Sequence, residues 1–82
     1  MKLPRDLNGE DLAKLLVQFG YSKVRQTGSH MRLSTSLKGE HHITIPKHKI
    51  LSVGILSAIL SDVAEHLKMT KNELIQIITE EK

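Results

Sequence analysis

Residues 27–34 read Thr-Gly-Ser-His-Met-Arg-Leu-Ser (TGSHMRLS), and the fold turns on whether they form the bend and second arm of a hairpin. Gly28 marks a tight turn. From His30 onward the side chains alternate, with His30 and Arg32 on one side and Met31 and Leu33 on the other. A period of two is the signature of a half-buried strand. Gly-Ser-His-Met is also the tetrapeptide that tag removal commonly leaves at a terminus. Here it lies mid-chain and keeps a strand's alternation, which an accidental insertion would not do.

Working outward, residues 21–26 (YSKVRQ) read as the first strand and residues 30–36 (HMRLSTS) as the second. Residues 37–40 (LKGE) make the next turn, and residues 41–45 (HHITI) a third strand that Pro46 closes, because proline cannot continue a central ladder. Ahead of the hairpin, residues 8–20 form a helix. Asn8 caps it, Glu10 and Asp11 occupy its first turn, and Leu12, Leu15, Leu16 and Phe19 recur at helical spacing before Gly20 stops it. After the loop KHKIL (47–51), residues 52–67 form a second helix with a stripe of Ile55, Leu56, Ile59, Leu60 and Val63. Thr70-Lys71-Asn72-Glu73 is a capping-box pattern that opens a short last helix carrying Leu74, Ile75, Ile77 and Ile78.

The expected architecture is therefore α+β in the order α-β-β-β-α with a short extra C-terminal helix. A three-stranded antiparallel sheet should carry the helices on one face, as one domain over residues 1–82. In this register Val24, Met31, Leu33, Ile43 and Ile45 face the helices, and Lys23, Arg25, His30, Arg32, His42 and Thr44 face away.

Composition narrows the chemistry. The chain has no cysteine, which removes disulfides and thiolate metal sites, and Phe19 and Tyr21 are its only aromatic residues. No apolar run approaches the ~20 residues needed to span a bilayer. MKLPRDLNGEDL at the N-terminus lacks a signal-peptide core, so a cytoplasmic protein is expected. The net charge of +3 is uneven: residues 1–49 carry nine Lys/Arg against four Asp/Glu, residues 50–82 three against five. Four of the five histidines also fall in the basic part, which suggests a polyanion-facing surface.

An exposed histidine is usually just a solvated polar group. What singles out His30 is its company. Imidazole moves protons near neutral pH, and neighbouring Lys and Arg hold phosphates and stabilise developing negative charge. These are the requirements for cleaving RNA by attack of its own 2′-hydroxyl, with no obligatory metal or other cofactor. His41 and His42 are adjacent in a strand, point to opposite faces and make a poor chelating pair. His48, beside Lys47 and Lys49, either assists catalysis or adds to a phosphate-attracting surface. His66, late in the second helix, reads as structural or solvated.

Several segments resemble the HicA (YcfA-like) toxins, the mRNA interferases of type II toxin–antitoxin systems. KLPRDLNGEDLAKLLVQFGY (2–21) is similar to the family's opening: a Lys-Leu-Pro segment, a capped helix and a Gly-aromatic pair. VRQTGSHMRL (24–33) is similar to its strand, Gly-Ser-His turn and second strand, ITIPKHK (43–49) to its third strand ending in Pro-x-His, and GILSAIL (54–60) to its Gly-x-Leu-x-x-Ile-Leu helix. The resemblance implies a double-stranded-RNA-binding-domain-like fold and an endoribonuclease that degrades mRNA and arrests growth, with His30 as the catalytic residue. It also implies a HicB-type antitoxin covering His30, with operator DNA reached only through that antitoxin. Family members often carry cations around the second helix, whereas SVGILSAILSDVAEHL (52–67) has none. The candidate RNA contacts are accordingly Lys23, Arg25, Arg32, Lys47, His48 and Lys49, with the turn residues Gly28 and Ser29.

Two other readings compete with the ribonuclease. One is a non-catalytic RNA-binding module of the same fold, in keeping with few aromatics, since duplex RNA is read by shape and phosphate contacts. The other is a protein-interaction or DNA-binding subunit, for which the chain lacks an obvious recognition-helix arrangement. If control acted from a distance, the terminal helix bearing Leu74, Ile75 and Ile78 would be the next candidate surface.

Overall fold

A computed structural model of the chain describes residues 6–47 and 49–80, the side chain of Glu80 excepted. The Lys-Leu-Pro segment and His48 lie outside the described residues. Helix α1 (Gly9–Leu16) starts where expected, with Asn8 Oδ1 accepting a 2.8 Å bond from the Asp11 amide. A 3-10 turn (Val17–Phe19) prolongs it to Gly20, which closes it in the left-handed conformation. Strands β1 (Ser22–Thr27), β2 (His30–Thr35) and β3 (His41–Pro46) form an antiparallel sheet in the order β1-β2-β3. Helices α2 (Val53–Leu67) and α3 (Lys71–Glu80) complete the α+β fold.

Local chemistry sets the ends of these elements. Tyr21 stays with the helix exit, its amide bonded to Leu16 O at 3.4 Å, so β1 starts one residue later than expected. Thr35, buried, ends β2 by donating its hydroxyl to Phe19 O (3.1 Å) while accepting from the Leu37 amide. Pro46 is the last residue of β3 rather than its stop, and it lies opposite His30. The strand is at the sheet edge and ends there, so a missing N–H costs little. Ser52 Oγ caps α2 through the Ile55 amide. At α3 the capping box is reciprocal: the Thr70 amide bonds Glu73 Oε1 at 2.8 Å, and the Glu73 amide bonds Thr70 Oγ1 at 3.0 Å.

One sheet face and all three helices share a single core. Met31, Leu33, Ile43 and Ile45 come from the sheet, with Leu12 and Leu16 of α1 and Leu56, Leu60, Val63, Ala64 and Leu67 of α2. Leu74, Ile75 and Ile78 of α3 are also buried here, which corrects their reading as a candidate control surface: packing onto α2 removes them from any partner's reach. Ile55 is correspondingly exposed, since the buried line of α2 runs through Leu56, Leu60, Val63 and Leu67 and leaves Ile55 at its margin.

Strand β1 departs from strict alternation. Its register is Thr27↔His30, Gln26↔Met31 and Arg25↔Arg32, but the next pair is Lys23↔Leu33, so Val24 is the extra residue of a bulge. Directly opposed residues share a face. The bulge therefore exchanges the two side chains expected on either side of it. Lys23 turns to the helix side, and Val24 is 57% exposed on the outer side, beside Ser22 and Ser34. Both expectations, Val24 in the core and Lys23 on the outer face, are corrected on this ground. Bulges and lysines are common on edge strands, where they discourage pairing with another chain.

Helix α1 also fixes the end of the sheet where His30 lies. Gly9 is buried so close to β3 that a Cβ there would stand 1.7 Å from Pro46 O. The Glu10 amide donates to Lys47 O at 3.2 Å. Only glycine allows this approach.

Candidate active site

The loop joining β1 and β2 is the two residues Gly28 and Ser29. Gly28 has φ +57 and Ser29 is not in the left-handed region, the pattern of a type II′ turn, whose first central residue favours glycine. Ser29 O accepts a 2.7 Å bond from the Lys47 amide, which ties the turn to the end of β3. His30 is thus the first residue of β2 after a short, anchored bend. Its position is fixed by backbone, and its side chain is exposed.

The register arranges the outer face in rows across the three strands. Thr27, His30 and Pro46 form one row, and Arg25, Arg32 and Thr44 the next. Side chains in a row stand roughly 4.5–5.5 Å apart at Cβ. Arg25, Thr27, His30, Arg32 and Thr44, with the edge of Met31, line a shallow hollow of about 170 Å³. Among the described residues, no group hydrogen-bonds the His30 ring, and no carboxylate pairs with Arg25 or Arg32. Like charges placed directly opposite each other destabilise a sheet. The hollow therefore presents an open proton-transfer group beside two guanidinium groups that lack a counter-charge, an arrangement that suits an anionic ligand.

The other candidates are dispersed. Lys23, turned to the helix side, bonds Gln26 Oε1 at 3.2 Å. Lys47, with only 17% of its side chain exposed, bonds the same oxygen at 3.1 Å and pairs with Glu10 at 3.7 Å. Gly28 and Ser29 form the exposed turn, and Lys49 is exposed in the following loop. His48 lies outside the described residues. Thr27 belongs to the hollow although the sequence expectation ends the first strand at Gln26, because β1 runs to Thr27. The signal was available: a two-residue turn at Gly28-Ser29 places residue 27 opposite residue 30.

The remaining histidines have structural partners. His41 Nε2 faces Asp62 at 3.3 Å, and a carboxylate only accepts, so that nitrogen carries the proton. Nδ1 then accepts the Tyr21 hydroxyl at 2.7 Å. His66 stacks on His41 with ring centres 4.5 Å apart and donates Nε2–H to Leu37 O at 2.9 Å. Burial, and secondarily the charge of Asp62, push the Tyr21 hydroxyl up to about 12, so it stays protonated and keeps donating. This chain braces the far end of the sheet against α2. His42 is at the surface, paired with Glu40 at 3.1 Å.

Compared with known proteins, the chain matches a family model described as the HicA toxin of bacterial toxin–antitoxin over residues 9–64. That span runs from α1 through most of α2 and includes every row of the outer face. No curated protein and no solved structure matches the chain.

Proposed function

The chain belongs to the HicA toxin family of bacterial toxin–antitoxin systems, and from that premise we propose that it is an endoribonuclease that cleaves mRNA at His30. The observation that carries this reading is the open imidazole of His30 beside Arg25 and Arg32, with which no carboxylate pairs among the described residues. The RNA supplies its own nucleophile. The 2′-oxygen bonds to phosphorus, the bond to the 5′-oxygen breaks, and the 2′-hydroxyl proton ends on the departing 5′-oxygen. His30 moves a proton at one of those two oxygens. Arg25 and Arg32, in the neighbouring row, hold backbone phosphate and keep the strand at His30. Lys47, an attractive phosphate ligand in sequence, is held by Glu10 and steadies the turn instead.

This route has a chemical signature. Purified protein incubated with mRNA in the presence of EDTA is expected to leave 2′,3′-cyclic phosphate and 5′-hydroxyl ends. Fragments with 5′-phosphates, or cutting that stops with EDTA, would mean that water and a metal perform the reaction. RNA bound and left whole would make the chain a binding module of this fold.

HicA toxins are paired with HicB antitoxins. We propose that the antitoxin covers His30 directly and sets acidic groups against Arg25 and Arg32, because burying that pair without counter-charge would be costly. Operator DNA would then be reached only through the antitoxin, and the site of action would be the cytoplasm. Diethyl pyrocarbonate should modify His30 in the free protein and spare it in the complex. Equal labelling in both, with cleavage still inhibited, would place control elsewhere.

A further inference from the structure

The rows of the outer face have a polarity that the ribonuclease reading alone does not use. The row that holds His30 contributes no cation: its other members are Thr27 and Pro46. The next row carries both arginines with the Thr44 hydroxyl beside them. Along β2 the two rows are separated by two residues, roughly 6.7 Å at the usual strand rise. That distance is comparable to one nucleotide step of an extended sugar–phosphate chain. The bulge sharpens the division. By turning Lys23 to the helix side and Val24 outward, it leaves Arg25 and Arg32 without a third cation from β1.

We propose that Arg25, Arg32 and Thr44 form a binding subsite for one particular phosphate, the one a single nucleotide away from the cleaved linkage, and that the substrate strand runs along β2 in a fixed direction. This rests on His30 being the group that acts at the cleaved linkage. Two guanidinium groups facing each other across neighbouring strands repel when empty, and a phosphodiester between them turns that repulsion into charge-assisted hydrogen bonds. Thr44, opposite Arg32, offers a hydroxyl donor to the same anion. Because the arginine row lies on one side of the His30 row only, the two phosphates that flank the cut are not equivalent.

Short oligonucleotides test this. One ribose keeps its 2′-hydroxyl and the others are 2′-deoxy, so a single linkage can be cut. Each flanking phosphate in turn is replaced by an uncharged methylphosphonate. In wild-type protein, neutralising one of the two flanks is expected to lower kcat/KM about tenfold or more, the scale of a lost charge-assisted contact. In Arg25→Gln and Arg32→Gln the same replacement should cost several-fold less than in wild type, because one of the two guanidinium partners is already gone. Neutralising the opposite flank should give the same loss in all three proteins. Both variants should melt no lower than wild type, since each removes a like-charge opposition. If the two flanks respond identically to the arginine substitutions, the subsite is wrong. Binding is measured in parallel on fully 2′-deoxy oligonucleotides. Binding that is sensitive at one phosphate and coupled to the arginines, with no linkage ever cut, would keep the subsite and overturn the ribonuclease reading.

Discussion

Replacing His30 with alanine is expected to abolish RNA cleavage and growth arrest while leaving the folded chain intact. A positioned general acid or base contributes about 10²–10⁴ in rate, and the described structure places no second imidazole in the hollow that could take over. The cost to stability should be small. His30 is exposed and contacts no core residue through a hydrogen bond, so truncation falls in the range of about 0.5 kcal/mol or less that is usual for surface changes. Its place in β2 is held by backbone pairing with Thr27 and Pro46 and by the Gly28-Ser29 turn, none of which needs the imidazole. The measurement is cleavage of mRNA beside a thermal melt followed by circular dichroism. Unimpaired cutting by a well-folded His30→Ala protein would falsify the assignment.

Leu33→Ala should also end activity, for a different reason. Leu33 lies one turn of the alternation from Arg32 and is 2% exposed, paired across the sheet with Ile43 and covered by the helices. Removing a buried leucine side chain costs ~2–5 kcal/mol through lost contact and the cavity left behind. A chain of this length has roughly 4–12 kcal/mol of stability in all, so the variant should be partly or wholly unfolded at growth temperature. Urea denaturation would show the midpoint falling steeply, whereas Val24→Ala, on the exposed bulge, should move it by no more than the ~0.5 kcal/mol of a surface change. A Leu33→Ala midpoint equal to wild type would mean that the sheet packs through its other face. Together with His30→Ala, the pair separates loss of chemistry from loss of fold.

Much of this was legible in the linear chain because it depends on short-range physics. Asn8, Ser52 and Thr70 with Glu73 cap helices through atoms three residues away. Gly28 makes its turn by its own backbone freedom. The alternation through Met31, Leu33, Ile43 and Ile45 specifies a sheet face without reference to what covers it. From these alone came the element order, the α+β class, the outward position of His30 and its neighbourhood with Arg25 and Arg32. The family resemblance lay in the same local segments.

Tertiary structure decided what periodicity cannot contain. An inserted residue on an edge strand leaves no trace in composition, so the bulge that exchanges Lys23 and Val24 is visible only once β1 is laid against β2. Lys47 reads as a free cation until the end of β3 meets the start of α1 and Glu10 is brought to it, an approach that Gly9 alone permits. Tyr21, His41, Asp62 and His66 come from β1's approach, β3 and two turns of α2, and only packing turns four separate polar residues into one hydrogen-bonded and stacked brace. Local sequence sets what each segment can become, since its forces act over a few residues. Which charges are neutralised and which are left open to a ligand depends on long-range contacts, and among the described residues these bring no carboxylate to Arg25 or Arg32 beside His30.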